Sequence, residues 1–243
     1  MQHLLRYKII YITTVCLALS YWGNAQLRSE INRPDHDDKP YHFGINLGLN
    51  RSHFSFTHHP LFMQMDSVLV VESINSTGLN LAWLVDKKLS DHFNLRTYPL
   101  NITFTEKAFE YSLKYPDPFG GENAITIKKV QSISLTLPVQ LKFSSDRIGN
   151  FRVYMMGGVK AEYDMAANAG AKKAENLIKL NRLDYGVEAG LGFHFYYPYF
   201  VLTTELKSGW GMGNLHSRDK DLKFSNVIDK INSRTITFSL TVE

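Results

Sequence analysis

Cysteine is almost absent from this chain of 243 residues: the single one, Cys16, lies close to the N-terminus. A lone thiol cannot form an intrachain disulfide or a thiolate metal cage, and a cysteine nucleophile disappears if the N-terminal segment is removed. No uninterrupted apolar run is long enough for a spanning helix, which needs about 20 residues. The longest, residues 9–19, is little more than half of that. A dominant charge is missing too, because 27 Lys and Arg face 23 Asp and Glu for a formal +4. That balance lacks the basic footprint of a nucleic-acid binder. Mean hydropathy is only −0.20.

What the sequence does contain begins with an export signal. Arg6 and Lys8 precede the apolar run, and Gly23-Asn24-Ala25 supplies small residues ahead of Gln26, the order of a cleavable secretory peptide. Val15 before Cys16 is too large for a lipid-modified cysteine. Residues 1–25 are therefore expected to be removed, which lowers the formal charge to +2. Residues 26–40 are polar, carry Pro34 and Pro40 and show no period, so they read as a flexible N-terminal lead, periplasmic in location. The Asp35-His36-Asp37-Asp38 run within it reads as solvated linker.

From Tyr41 to Glu243 one pattern recurs, in which every second residue is apolar. In YHFGINLGLN, Phe43, Ile45, Leu47 and Leu49 share one face, and His42, Gly44, Asn46, Gly48 and Asn50 share the other. Further strands are expected at 76–89, at 92–109, around Ile133 to Phe143, around Phe151 to Tyr163, at 181–197, around Phe200 to Trp210, and from Ile236 to Val242. In the fourth, Leu135, Leu137, Val139 and Leu141 alternate with Thr136, Pro138, Gln140 and Lys142. In the third the parity slips between Leu95 and Leu100, and a bulge near Pro99 would absorb the slip. Connections alternate between long and short, with 58–75, 110–131, 165–180 and 213–232 the long ones. The pattern predicts an all-β, eight-stranded antiparallel transmembrane barrel over 41–243, lipid outside and a polar lumen inside, with short periplasmic turns, longer outer loops and both termini periplasmic. The window-averaged hydropathy is low because lipid meets only alternate residues.

Eight strands close around an interior that side chains can fill. On the inward parity of three consecutive strands fall Arg152, Lys160, Glu162, Asp184, Glu188, Glu205 and Lys207, expected to neutralise one another as a structural charge network. Glu162 and Glu188 could serve as an acid–base pair only beside a substrate cleft, which a filled lumen does not offer, so the chain reads as non-enzymatic, without cofactor or small-molecule substrate. His53, His58 and His59 lack a patterned carboxylate partner for a metal. Gly209 to Gly213 is glycine-rich but opens no helix, so it is not a phosphate cradle. Tyr41, Trp83, Tyr163, Tyr185, Tyr196, Tyr197, Tyr199 and Trp210 suit interfacial girdles, with Tyr196 and Tyr199 the two that could instead fill the lumen.

Lys39-Pro40-Tyr41, the opening YHFGINLGLNRSHF, the strands LTLPVQLKF and YMMGGVKAEYD, and the end IDKINSRTITFSLTVE together resemble the PorT family of small outer-membrane barrels. The resemblance spans nearly the whole mature chain. It implies a place in the type IX secretion apparatus of a Gram-negative outer membrane, which exports cargo bearing a C-terminal sorting domain and, in gliding bacteria, delivers motility adhesins. It further implies contacts with other apparatus proteins and with cargo, besides outer-membrane lipids. A filled eight-stranded barrel suits an accessory or assembly role better than an open pore. Many outer-membrane barrels end in an aromatic residue; this chain ends Thr241-Val242-Glu243.

Overall fold

Alternation sets the strands, and in the first of them, β1 (Tyr41–His58), it fixes which face is inside. Ile45 is 67% exposed while its neighbour Asn46 is 0%. Apolar out and polar in reverses the arrangement of a water-soluble domain. The computed structural model describes residues 30–60, 62, 68–116, 123–167, 180–217 and 227–243. The expected signal peptide, most of the third long loop and parts of the others lie outside the described residues.

The remaining strands are β2 (Val68–Ile74), β3 (Ser76–Lys88), β4 (Phe93–Leu113), β5 (Ile125–Ser144), β6 (Phe151–Asp164), β7 (Leu183–Tyr196), β8 (Val201–Gly211) and β9 (Ile228–Val242). All neighbours are antiparallel, in the order β4-β3-β1-β9-β8-β7-β6-β5, and β4–β5 pairing closes the ring. Eight strands make the barrel. The ninth, β2, continues the line of β3 past a break at Asn75 and pairs with the far end of β4, Ile74 opposite Ala108. Residues 68–74 were expected in a loop, yet their β-branched Val68, Val70, Val71 and Ile74 favour a pleated chain. Likewise β9 starts at Ile228, well before Ile236, inside a segment expected to be loop.

The β4–β5 ladder skips from Thr97↔Val139 to Ile102↔Leu135, so residues 98–101 face only 136–138. That extra residue is the bulge that the parity slip predicts. Pro99 and Pro138 both fall in the gap, where neither missing N–H interrupts a ladder bond. The Thr97 hydroxyl donates to the Pro138 carbonyl at 2.7 Å. Gly192 matters for another reason: a Cβ there would lie 2.1 Å from the Tyr154 ring, so its absence lets that ring enter the lumen.

Short turns at 89–92, 145–150 and 197–200 gather at one end, together with Tyr41 and Glu243; the long connections gather at the other. Residues 32–40 are not a free linker. They belong to the same compact unit as the barrel and form a 3-10 turn at Pro34–His36, entered through Arg33 at φ 51°. A positive φ there reverses the chain toward the barrel mouth. No helix among the described residues is long and apolar enough to cross a membrane; the strands are the crossing elements.

Candidate functional site: the charged lumen and its two ends

Arg96 projects inward from β4 because Leu95 beside it faces out. Its guanidinium is fully buried, with Nε and Nη2 donating to Asp86 Oδ2 at 2.9 and 2.7 Å, and Nη1 donating to the Tyr154 hydroxyl at 3.0 Å and to Glu205 Oε1. Lys142 Nζ and Asn94 Nδ2 donate to Asp86 at 2.6 and 2.7 Å. The hydroxyls of Tyr154 and Tyr98 donate to Glu205 at 2.5 and 3.0 Å. Lys207 Nζ reaches Glu205 Oε2 at 3.1 Å. Two carboxylates thus hold three cations between them, and Glu243 Oε1 lies 3.8 Å from Arg96. Buried charge is tolerated only when paired and hydrogen-bonded in this way.

The seven charged residues expected from parity do not form one network. Glu205 and Lys207 join the Arg96 centre. Lys160 Nζ pairs with Glu162 Oε2 at 3.0 Å toward the long-loop end, and Gln140 donates to Glu188. Asp184 accepts instead from the backbone N–H groups of Tyr185 and Gly213 at 2.9 and 3.1 Å. Arg152 is displaced furthest: it sits at the short-turn mouth, on Asp37 at 3.2 Å. The reason is simple: β6 begins at Phe151, so Arg152 is at the strand's end and not its middle. Arg96, Asp86 and Lys142 form the centre that parity alone did not single out. The signal was present in the alternation Phe93, Leu95, Thr97 around Asn94 and Arg96.

Both ends of the lumen are stoppered. At the short-turn end His36 is buried against His42, ring centroids 4.5 Å apart, and its carbonyl accepts from His42 Nε2 at 2.8 Å. Asp37 accepts from the Tyr196 hydroxyl at 2.8 Å and faces Arg147 as well as Arg152. Burial alone would raise the Asp37 pKa; His36, the Tyr196 hydroxyl and the charges of Arg152 and Arg147 outweigh it and hold the carboxyl well below the usual range. Arg147 also lies 3.6 Å over the Tyr196 ring. Tyr196 is therefore interior, whereas Tyr199 is 93% exposed.

At the long-loop end the seal is apolar. Phe54, Val68, Val71, Phe109, Tyr111 and Ile231 head a buried cluster that also takes in Leu180, Leu215 and Ile228. Phe54 and Phe109 stack with centroids 5.1 Å apart. Between the seals lies a polar cavity of about 50 Å³, lined by Lys107, Lys160, Glu162, Glu188 and Lys207 among others, room for only a few waters. His58 packs on Phe62 at 4.5 Å while His53 points the other way. Among the described residues no group of three or more His, Cys, Asp or Glu could hold a metal ion.

Phe43, Ile45, Leu47, Leu49, Leu135, Leu137, Val139 and Leu141 all stand exposed on the outer face. Together with Trp83, Val159, Leu191, Leu206 and Phe238 they make a continuous apolar band.

Comparison with solved structures finds bacterial surface and outer-membrane proteins. Neisserial surface protein A is 8% identical, with a TM-score of 0.41, over 84% of this chain and 99% of that one. OprG of Pseudomonas aeruginosa is 10% identical, with a TM-score of 0.42, over 82% and 94%. The attachment invasion locus protein Ail of Yersinia pestis, solved with the heparin analogue sucrose octasulfate, is 12% identical, with a TM-score of 0.38, over 82% and 96%. No curated protein matches the sequence. The model of the outer membrane protein beta-barrel domain family matches residues 24–217, most of the chain. This protein belongs to that family, and its place is the outer membrane.

Proposed function

We propose that this barrel is an accessory or assembly component of the type IX secretion apparatus, required for export of sorting-domain cargo to the cell surface and, in a gliding bacterium, for delivery of adhesins. The stretches from Lys39-Pro40-Tyr41 to IDKINSRTITFSLTVE support the assignment through their resemblance to the PorT family. The observation that carries the accessory role is the filled lumen: Arg96, Tyr98, Tyr154 and Glu205 are fully buried across its middle, leaving no passage for a polypeptide. Its partners are then other apparatus proteins and cargo, met from outside the barrel, with lipid around the band. The short turns and both termini face the periplasm in this reading, as family architecture favours.

One surface suits such contacts. Beyond the apolar band, β2, β4 and β5 continue as an arm. There Leu69, Val70, Ile125 and Ile127 remain exposed, separated from the band by the Glu106–Lys129 pair at 2.8 Å. The same arm would serve a stand-alone adhesive or envelope-stabilising barrel, the second reading. A clean deletion separates the two. Cargo trapped in the periplasm, and released on complementation, supports the secretion role; normal export with altered surface binding rejects it in favour of adhesion.

A further inference from the structure

At the long-loop edge of the apolar band, β1 and β9 turn basic on their outer face. Arg234 on β9 is directly opposite His53 on β1, and Arg51 is the next outward residue of β1, opposite Ile236. The two arginines are thus diagonal neighbours across one ladder, about 7–8 Å apart at the backbone. Among the described residues neither has a hydrogen-bond or ion-pair partner, whereas the outward pair Glu106 and Lys129 neutralise each other at 2.8 Å. Trp210 flanks Arg234 on β8. Two cations side by side repel each other, and at the rim of a low-dielectric band water screens them only partly. An arrangement of this kind is stabilised by an anion held between them.

An apolar groove starts beside the same pair. Thr77, the residue opposite Arg51, forms its near wall. Leu79, Phe104 and Ile133 continue it along the outer face for about 390 Å³, and Glu106 and Gln131 close its upper side. The groove opens where the β3–β4 ladder is interrupted, between Leu79↔Phe104 and Ile74↔Ala108. An anion site at the band's edge, continuous with a slot inside the band, matches one kind of occupant: an amphiphile with an anionic head and a hydrocarbon tail.

We infer that Arg51 and Arg234 bind the phosphate of a phosphorylated membrane lipid from the leaflet on the long-loop side, with one acyl chain laid in the Leu79–Phe104–Ile133 groove. Guanidinium groups suit phosphate because each presents a planar fork of donors. His53 adds a ring nitrogen between them. The outward face at the opposite edge carries instead isolated lysines such as Lys87, which lies 5.8 Å over the Tyr41 ring, so the two leaflets meet different chemistry.

The test uses the full chain, purified and placed in nanodiscs of phosphatidylcholine doped with diphosphoryl lipid A, then released for native mass spectrometry to count retained lipid. The wild type should retain lipid A, and the Arg51→Gln/Arg234→Gln variant should lose about tenfold or more in retention, as expected for lost charge-assisted bonds. Lys39→Gln/Lys87→Gln removes two charges from the other edge and should change nothing. Fully dephosphorylated lipid A should be retained no better by wild type than by the double variant. Inorganic phosphate at equal concentration should fail to compete. Equal retention by wild type and the Gln variant, an equal loss in the Lys control, or displacement by inorganic phosphate alone would overturn the inference. Arg51→Lys/Arg234→Lys keeps the charge without the fork, should insert normally, and should fall between wild type and Gln; wild-type retention by it would reject the bidentate geometry.

Discussion

Along β1 the inward residues are Asn46, Gly48, Asn50 and Ser52, and then Phe54 and Phe56; the outward ones are Ile45, Leu47 and Leu49, and then Arg51, His53, Ser55 and Thr57. The chemistry of the two faces exchanges within a few residues while the alternation never falters. β9 does the same, from Ser239 and Ser233 to Ile231 inside and from Phe238 and Ile236 to Arg234 and Lys230 outside. In β4, Phe109, Tyr111 and Leu113 take the inner face after Thr103 and Thr105, while Glu106 and Glu110 follow Phe104 outside. One barrel therefore holds two interiors, a charged one where hydrocarbon surrounds it and an apolar one where water does. A side chain faces in or out by strand parity; which face is apolar is decided by the solvent outside. The exchange at Arg51, Glu106 and Arg234 marks the height at which lipid gives way to water.

Substitutions at the two interiors should separate them, and the largest effect is expected in the charged one. Arg96→Met removes the donors that Asp86, Glu205 and the Tyr154 hydroxyl share and leaves buried acceptors half-satisfied, which should cost about 3–5 kcal/mol. Urea titration of the folded barrel in detergent, read by heat-modifiable mobility, measures it; an unchanged midpoint would mean that the central charges are dispensable. Phe109→Ala in the apolar interior should cost about 3–4 kcal/mol, but with a different pattern. Amide exchange should rise at the long-loop ends of β1, β4 and β9 while the Arg96 centre stays protected. Uniform acceleration through the barrel would show instead that the two interiors unfold as one.

Leu137→Arg probes the outside at mid-band height, where a charge should cost about 2–4 kcal/mol. The same change at Ile127, past the exchange, should be close to neutral, so equal effects at the two positions would place the boundary wrongly. The smallest effect concerns the short-turn seal. The folded pKa of Asp37 is depressed, so its contribution is fully present above the ordinary aspartate value, about 3.9. It is lost as pH falls below that toward the folded value. Proteolysis within residues 32–38 should be slow at pH 6 and accelerate near pH 3, and Asp37→Asn should make it fast at both. A pH-independent rate in the wild type would remove Asp37 from the seal.

Much of this was legible from residues alone. The parity of Phe43 to Leu49 and of Leu135 to Leu141 gives the wall, and the slip between Leu95 and Leu100 gives the bulge, because alternation is local and needs no knowledge of neighbours. Pairing is not local. Asp86, Arg96 and Glu205 come from β3, β4 and β8, and nothing in their spacing says that the three meet. The order of the lead is illegible for the same reason: residues 32–40 have no period, and they are held by Arg147, Asn150, Arg152 and Tyr196 across the mouth. The apolar end is hidden because the faces exchange there: under a single rule for the inner face, β2 and the start of β9 look like loops.

The short-turn seal also bears on how the chain closes. Asn32 binds partners 118 and 164 positions away, and Arg33 donates to the Glu243 carbonyl, 210 positions away. Glu243 is itself fixed by a reciprocal backbone pair with Val201. Contacts of such sequence separation form late, because the loops they close are long. Arg33 thus lacks the Glu243 carbonyl until the last strand has docked, and this contact of the seal acts as a latch that engages only on a finished ring.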